Sequence, residues 1–339
     1  MAALLASNDD PSTSAPMSRS SSSTSESETT SEMTLPMEMS PMEGLGNIYV
    51  HQYMGIEALQ EQIRSQCAEL QTAGTNQQYL VFRGVTKRDL TKMDRQRDAI
   101  GKDTRMSYYV DSDLLVIKLM PSVVHEMPHL SLAKKLDRAL GRMGIPEEAL
   151  VPLGAGRFSS TRSSKEADGA FKPDSRESKS DWPTIVFESG LSESLPRLRC
   201  DAAWWLEKSR GDVKLVIIIS VRPAKKELRV EKWCLCPLPP NRPVTRASSS
   251  PNSVLPTKVQ HIAITQNQTP GQPIQQANTA PPTVVVLPGT TPSYAVTGAP
   301  MILEFQKIFL RPPVPPEGDI VLSAMDLSLW ANGFWKCVK

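Results

Sequence analysis

The sequence predicts an α/β domain: a mixed central β-sheet flanked by helices, carrying a disordered N-terminal tail and a low-complexity insertion. Three observations lead there. Amphipathic helical patterns at 54–71 and 129–143 stand among short strand-like runs, and the mixture over 120–235 is that of a sheet covered by helices. VKLVIIISV (213–221) is apolar on both faces, as a strand at the centre of a sheet must be. Composition changes abruptly at both ends of this region. Residues 1–45 are mostly Ser, Thr, Met and acid, and residues 237–293 are dominated by Pro, Ser, Thr, Gln and Asn.

The chain has 339 residues, enough for one large domain or two small ones. Its net charge of +2 hides an asymmetry. Residues 1–45 hold seven acids against Arg19, a net of −6, so the remainder carries +8. A mildly basic body suits a polyanionic partner without demanding one. The five cysteines, at 67, 200, 234, 236 and 337, have no zinc-ribbon spacing, and Cys234-Leu-Cys236 lacks a second pair. They read as free thiols in a reducing compartment. The opening MAALLASNDD is too short and uncharged for a secretory signal, and no apolar run approaches a membrane-spanning length. The expectation is an intracellular protein, of cytoplasm or nucleus, neither secreted nor membrane-bound.

The elements follow in order. Residues 46–104 read as a helical extension: Ile56, Leu59, Ile63, Cys67 and Leu70 recur at helical spacing, and a more polar helix covers 87–99. RMSYYVDSDLLVIKLM (105–120) alternates around Asp-Ser-Asp, a strand–turn–strand signal that opens the core, 105–236. Leu132, Leu136, Ala139, Leu140 and Met143 share one helical face, closed by Gly144. Short strands are expected near 149–155, 166–172 and 182–190, then a helix from Ser192 to about Ser209, ended by Gly211. ELRVEKWCL (227–235) alternates as a more exposed strand would. Within the insertion, 237–293, only VQHIAIT (259–265) and TVVVL (283–287) are strand-like. Order returns over 294–339, which belongs to the same domain and ends in the helix AMDLSLWANGFWKCV.

His125-Glu-Met-Pro-His129 matches the H-E-x-x-H string of zinc proteases, which needs both histidines one helical turn apart. Pro128 stands between them. Proline lacks the interior N–H and pushes the residue before it out of helical geometry. The expected helix therefore starts at or just after Pro128, leaving His125 and Glu126 on its approach. No motif supplies a third ligand, so zinc proteolysis is a remote reading.

Two short strands, EADGAFKP (166–173) and PTIVFESG (183–190), each carry an acid, and the polar loop KPDSRESKSD joins them. If the strands are neighbours, Asp168 and Glu188 meet at one place. Paired carboxylates repel unless a cation lies between them, and Mg²⁺ or Mn²⁺ takes oxygen ligands of this kind. Such an ion can polarise a phosphate and activate water.

The run Glu166-Ala-Asp168, Val186-Phe-Glu188-Ser-Gly190, Ser192-Glu193-Ser194, Leu198-Arg199-Cys-Asp201-Ala-Ala-Trp204-Trp205-Leu206, Val213-Lys-Leu-Val-Ile217 resembles the PD-(D/E)XK nuclease-like superfamily. More closely it resembles the restriction-endonuclease family found in bacteria and, in large numbers, in fungal genomes. Met120-Pro-Ser, His125-Glu126, Val296-Thr-Gly-Ala-Pro300 and LRPPVPPEGDIVLS extend the likeness over about 105–339, apart from the insertion. The resemblance implies a restriction-endonuclease-like fold with a four-stranded mixed sheet. It also implies a site holding Mg²⁺ or Mn²⁺ through Asp168, Glu188 and Glu126, and nucleic acid as the partner cleaved. One departure stands out: the motif lysine belongs two residues after Glu188, where this chain has Gly190. A basic group from the following helix can replace it, and Arg199 is the choice among Arg197, Arg199 and Lys208. The expected site is therefore Asp168, Glu188 and Arg199 as catalytic residues; the rival is an idle relative kept as a binding or interaction module. Trp204-Trp205 reads as core rather than as a base-stacking pair. Lys225-Lys226, beside Arg222 and Arg229, reads as a solvated turn or a phosphate contact.

Overall fold

In the computed structural model, residues 40–72, 75–101, 103–120, 123–237, 254–267, 283–285, 287 and 293–338 are described. The tail up to residue 39 and most of the Pro/Ser/Gln-rich stretch lie outside them. The expected helical extension contains strands as well. β1 (Val50–Gln52) runs parallel to β2 (Tyr79–Arg83), with α1 (Ile56–Gln71) crossing between them. Leu59 and Ile63 seat α1 in an apolar cluster with Ile56, Cys67 and Leu70. α2 (Lys87–Arg95) starts on a capping box in which Thr86 and Asp89 satisfy each other's backbone N–H. The short α3 (Arg97–Ile100) follows. β3 (Thr104–Tyr109) and β4 (Leu114–Leu119) form the expected hairpin, turned where Asp113 adopts a left-handed φ of 47°.

α4 (Val123–Arg142) corrects the sequence reading, because it begins before Pro128 and runs through it. The proline lies in the second turn, where one ladder bond is lost but the core face of α4 is kept. The hydroxyl of Ser131 donates to the Met127 carbonyl and lies 3.2 Å from that of Pro128. Leu132, Leu136, Ala139 and Leu140 bind the helix to the core.

β5 (Leu150–Pro152), β6 (Arg157–Ser159), β7 (Ser163–Glu166) and β8 (Gly169–Pro173) come next. The expected single four-stranded sheet is instead divided. β6 and β7 complete a six-stranded sheet in the order β1-β2-β4-β3-β7-β6. At Ala167-Asp168 the chain leaves it, and β8 enters a second sheet. That sheet continues through β9 (Ile185–Leu191), β10 (Leu215–Arg222), β11 (Glu227–Pro237), β12 (Val254–Gln266), β13 (Thr283–Val285) and β14 (Tyr294–Thr297). Its order is β13-β14-β12-β11-β10-β9-β8-β5. β9 and β10 are parallel and are joined by the crossover helix α5 (Leu195–Lys208). A small antiparallel pair, β15 (Met301–Leu303) and β16 (Ile320–Leu322), encloses α6 (Phe305–Phe309) and precedes α7 (Ala324–Cys337).

α4 and α7 share one core with one face of the second sheet, and α5 packs on the other face. β10 is central, and Leu215 through Ile219 are all 0 % exposed. Each such side chain contributes about 1.5–3 kcal/mol relative to leaving it in water. β11 was expected to be more exposed but is largely buried, because β12 covers its outer edge over eleven residue pairs. Its alternating charges are paired rather than solvated: Glu231 with Arg199, Lys232 with Glu304, Glu227 with Arg222 and Arg229. β12 itself spans 254–266, wider than the island foreseen inside the insertion.

Candidate functional site: a buried ionic centre between two sheets

Asp168 sits on the link where the chain changes sheets, and Glu188 lies on β9. The antiparallel pairing of Gly169 with Phe187 draws the two acids together, as the sequence proposed. The group between them was not foreseen. Lys118, from β4 in the first sheet, places its Nζ 2.6 Å from Asp168 Oδ2 and 3.2 Å from Glu188 Oε2. All three side chains are 4 % exposed or less.

A second layer completes the centre. Arg197, Asp201 and Trp205 recur every four residues and so share one face of α5. Trp205 Nε1 donates to Glu188 Oε1 at 2.8 Å, Lys165 Nζ stands 3.0 Å from Asp201 Oδ2, and Arg197 Nε stands 3.1 Å from Asp201 Oδ1. Lys165 also lies 3.7 Å from Glu188 Oε1. Three cations thus face three carboxylates. On the α4 side, the Ser189 N–H donates to Asp168 Oδ2 at 2.7 Å, and His129 Nδ1 lies 3.0 Å from Ser189 Oγ.

Burial and pairing pull the titrations apart. Burial alone would raise Asp168, but the Lys118 ammonium, with smaller help from His129 and Arg105, holds it below the usual carboxylate range. Burial pushes Glu188 up, because Lys165 and Lys118 only partly offset it. Burial works against charge on Lys118 too, yet the two carboxylates keep it protonated far above an ordinary lysine. Burial pushes His129 down to about 4, so its imidazole is neutral near pH 7.

The other predicted residues stand apart. Glu126 Oε1 is 3.5 Å from Arg105 Nη2, and Arg105 Nε is 4.0 Å from Asp168 Oδ1, so Arg105 intervenes between the two acids. Arg199 turns its guanidinium onto Glu231 of β11, at 3.1 and 2.6 Å. It lies outside the Arg197–Asp201–Trp205 face, so the bases at the carboxylates are Lys118 and Lys165 instead. At Gly190 a Cβ would overlap Ser194 Oγ and approach Gln78 Oε1 to 3.1 Å. That position admits no lysine without displacing both neighbours. Of the HEMPH residues, Glu126 and His129 are thus accounted for by Arg105 and Ser189. Trp204 and Trp205 are core, as expected, but Trp205 also fixes a carboxylate.

The residues present do not fit a divalent ion in this arrangement. Lys118 fills the space between the acids, and both oxygens of Glu188 already accept from donors or face an ammonium. Among the described residues no group of three His, Cys, Asp or Glu side chains could hold a metal. The buried Asp168 Oδ1 accepts no hydrogen bond, and in the second layer neither Arg197 Nε nor Asp201 Oδ2 has one beyond its ion pair.

A different cationic feature lies on α4. Lys135, Arg138 and Arg142 share a helical face and line a groove of about 360 Å³ against Leu322 and Asp326. Among the described residues none of the three forms an ion pair. In the basic turn at 222–229, by contrast, Arg222 and Arg229 hold Glu227, and Lys226 Nζ lies 4.8 Å above the Trp335 ring.

No family model and no curated protein matches the chain. Among solved structures, an Anabaena variabilis protein described as "a putative nuclease belonging to DUF820" is matched over 67% of this chain and 90% of that one, at 12% identity and a TM-score of 0.33. A likeness at that level decides neither fold nor reaction. Among the described residues no helix is long and apolar enough to cross a membrane.

Proposed function

We propose that the chain is a nuclease-like α/β module that binds the phosphate backbone of nucleic acid without hydrolysing it. The carrying observation is Lys118, whose ammonium stands between Asp168 and Glu188 in a buried centre. It supplies the positive charge that a metal would supply, so the carboxylate pair needs no ion. The α4 groove supports the binding half: three clustered cations face one acid there, Asp326, and such an excess of positive charge attracts polyanions.

Metal-dependent cleavage is the second reading, favoured by Asp168 Oδ1, which accepts no hydrogen bond, and by a lysine within reach of both acids. One experiment separates the two. The full chain and its Asp168→Ala variant are incubated with labelled DNA and RNA in Mg²⁺ or Mn²⁺, and binding is followed in parallel. Binding with no cleavage by either protein is the expected result. Cleavage by the wild type that the variant loses would establish a nuclease using Mg²⁺ or Mn²⁺. Absence of binding at low salt would sink both readings.

A further inference from the structure

Cys234 and Cys236 alternate with Leu235 on β11, so both thiols leave the same face of the strand. Their sulfurs are 3.5 Å apart. Cys234 is buried and Cys236 half-buried, so the second is the one solvent reaches. Two strand positions along, their Cα atoms are separated by about 6.4–6.8 Å, the upper end of what a disulfide spans. A bond across them is therefore possible and strained, the property of disulfides that form and break readily. Nothing in the buried ionic centre uses either thiol.

We infer that Cys234 and Cys236 form a reversible dithiol–disulfide couple that reacts with hydroperoxides, Cys236 attacking and Cys234 resolving. The surroundings fit these roles. Burial, and then the contact with Cys236, push the Cys234 thiol up to about 11. It stays protonated and can donate to its neighbour's sulfur. Lys307 stands beside the pair, its Nζ 3.1 Å from Glu304 Oε1, a contact that helps to hold it charged against burial.

The chemistry balances. The Cys236 thiolate attacks one peroxide oxygen, the O–O bond breaks, and the leaving alkoxide takes a proton. Cys236 becomes a sulfenic acid, oxidised by two electrons as the peroxide is reduced. The Cys234 sulfur then displaces the sulfenic hydroxyl. The S–O bond breaks, water departs with the Cys234 proton, and the S–S bond forms. One hydroperoxide and two thiols give one disulfide, one alcohol and one water; hydrogen peroxide gives two waters.

The test treats the full chain with stoichiometric hydrogen peroxide, blocks free thiols, and weighs the tryptic peptide Trp233–Arg246. Loss of two hydrogens from that peptide, reversed by dithiothreitol and absent in Cys236→Ser, is the expected result. Cys234→Ser should stop at the sulfenic acid, captured by dimedone on Cys236. Three outcomes would overturn the proposal: both thiols still alkylated, oxygen added without the internal link, or a bond from either cysteine to Cys67, Cys200 or Cys337. The wild-type peptide alone decides the point if a variant fails to fold.

Discussion

Lys118, Lys165 and Arg197 each stand against a carboxylate inside the protein, whereas Lys135, Arg138 and Arg142 line the α4 groove with Asp326 as the nearby acid. Asp326 is itself committed, accepting from the Ser323 N–H and hydroxyl at the start of α7. The difference follows from solvation. A buried charge without a partner destabilises a fold by several kcal/mol, and in this centre each interior cation meets a carboxylate. On the surface water supports an unmatched charge, which remains available to an outside anion. The interior set is therefore held by its own carboxylates, and the groove set is the one that the proposed binding would use.

The largest effect expected from breaking this division is inside. Lys118→Met leaves Asp168 and Glu188 facing each other, and a loss of about 3–5 kcal/mol is expected in urea unfolding. Adding Glu188→Gln should recover part of it. A single-variant loss well under 1 kcal/mol would mean that Lys118 does not hold the centre together.

Next in size is a pH effect. His129 has a folded pKa of about 4 against an ordinary 6.5. Between these values the unfolded chain binds a proton that the folded chain refuses, so stability falls as pH drops from 6.5 toward 4. The contribution is on the order of 3 kcal/mol. Asp168 acts at lower pH: its stabilisation is present above the ordinary carboxylate value of 3.8 and is lost as pH falls through its depressed folded value. Thermal melts from pH 7 to 4 should show the first slope, and His129→Gln should flatten it.

Gly190→Lys tests whether the motif position can take its lysine back. Overlap with Ser194 should destabilise the fold by roughly 1–3 kcal/mol, read as a lowered melting temperature, with no cleavage gained. A stable, cleaving variant would show that the missing lysine alone had silenced the site.

The smallest stability effect belongs to the groove. Arg138→Ala and Arg142→Ala should change stability by no more than roughly 0.5 kcal/mol. Each should nevertheless lower the slope of log affinity against log salt for nucleic acid by about 1. An unchanged slope would make the α4 face merely a solvated one.

Asp168 and Glu188 were legible because an acid on each of two short strands, joined by one polar loop, has few ways not to meet. The β3–β4 hairpin and the strand–helix–strand order of β9, α5 and β10 were legible from turn chemistry and apolar runs, but the parallel pairing of the two strands was not. Lys118 was not, although LLVIKLM carried a signal: one lysine inside an otherwise apolar strand implies a buried partner. What concealed it was the second sheet, since its partners lie 50 and 70 residues further on. Arg199 lies on the same helix but turns to Glu231, whereas four-residue spacing from Trp205 selects the face of Arg197 and Asp201. Pro128 misled because tertiary packing by Leu132 and Leu136 outweighs one lost helical bond.

The hand-over of the chain at Ala167-Asp168 also bears on time. The first sheet can acquire its hairpin from neighbours in sequence, but the Lys118 contacts close only after both sheets exist. Such long-range closure belongs late on the route to the native state, when most loop entropy has already been lost. Weakening it should therefore leave the refolding rate nearly untouched and speed the escape from the folded state. In a chevron plot, Lys118→Met should move the unfolding arm and spare the other. The centre would then act as a latch, setting how long the folded molecule lasts rather than how quickly it forms.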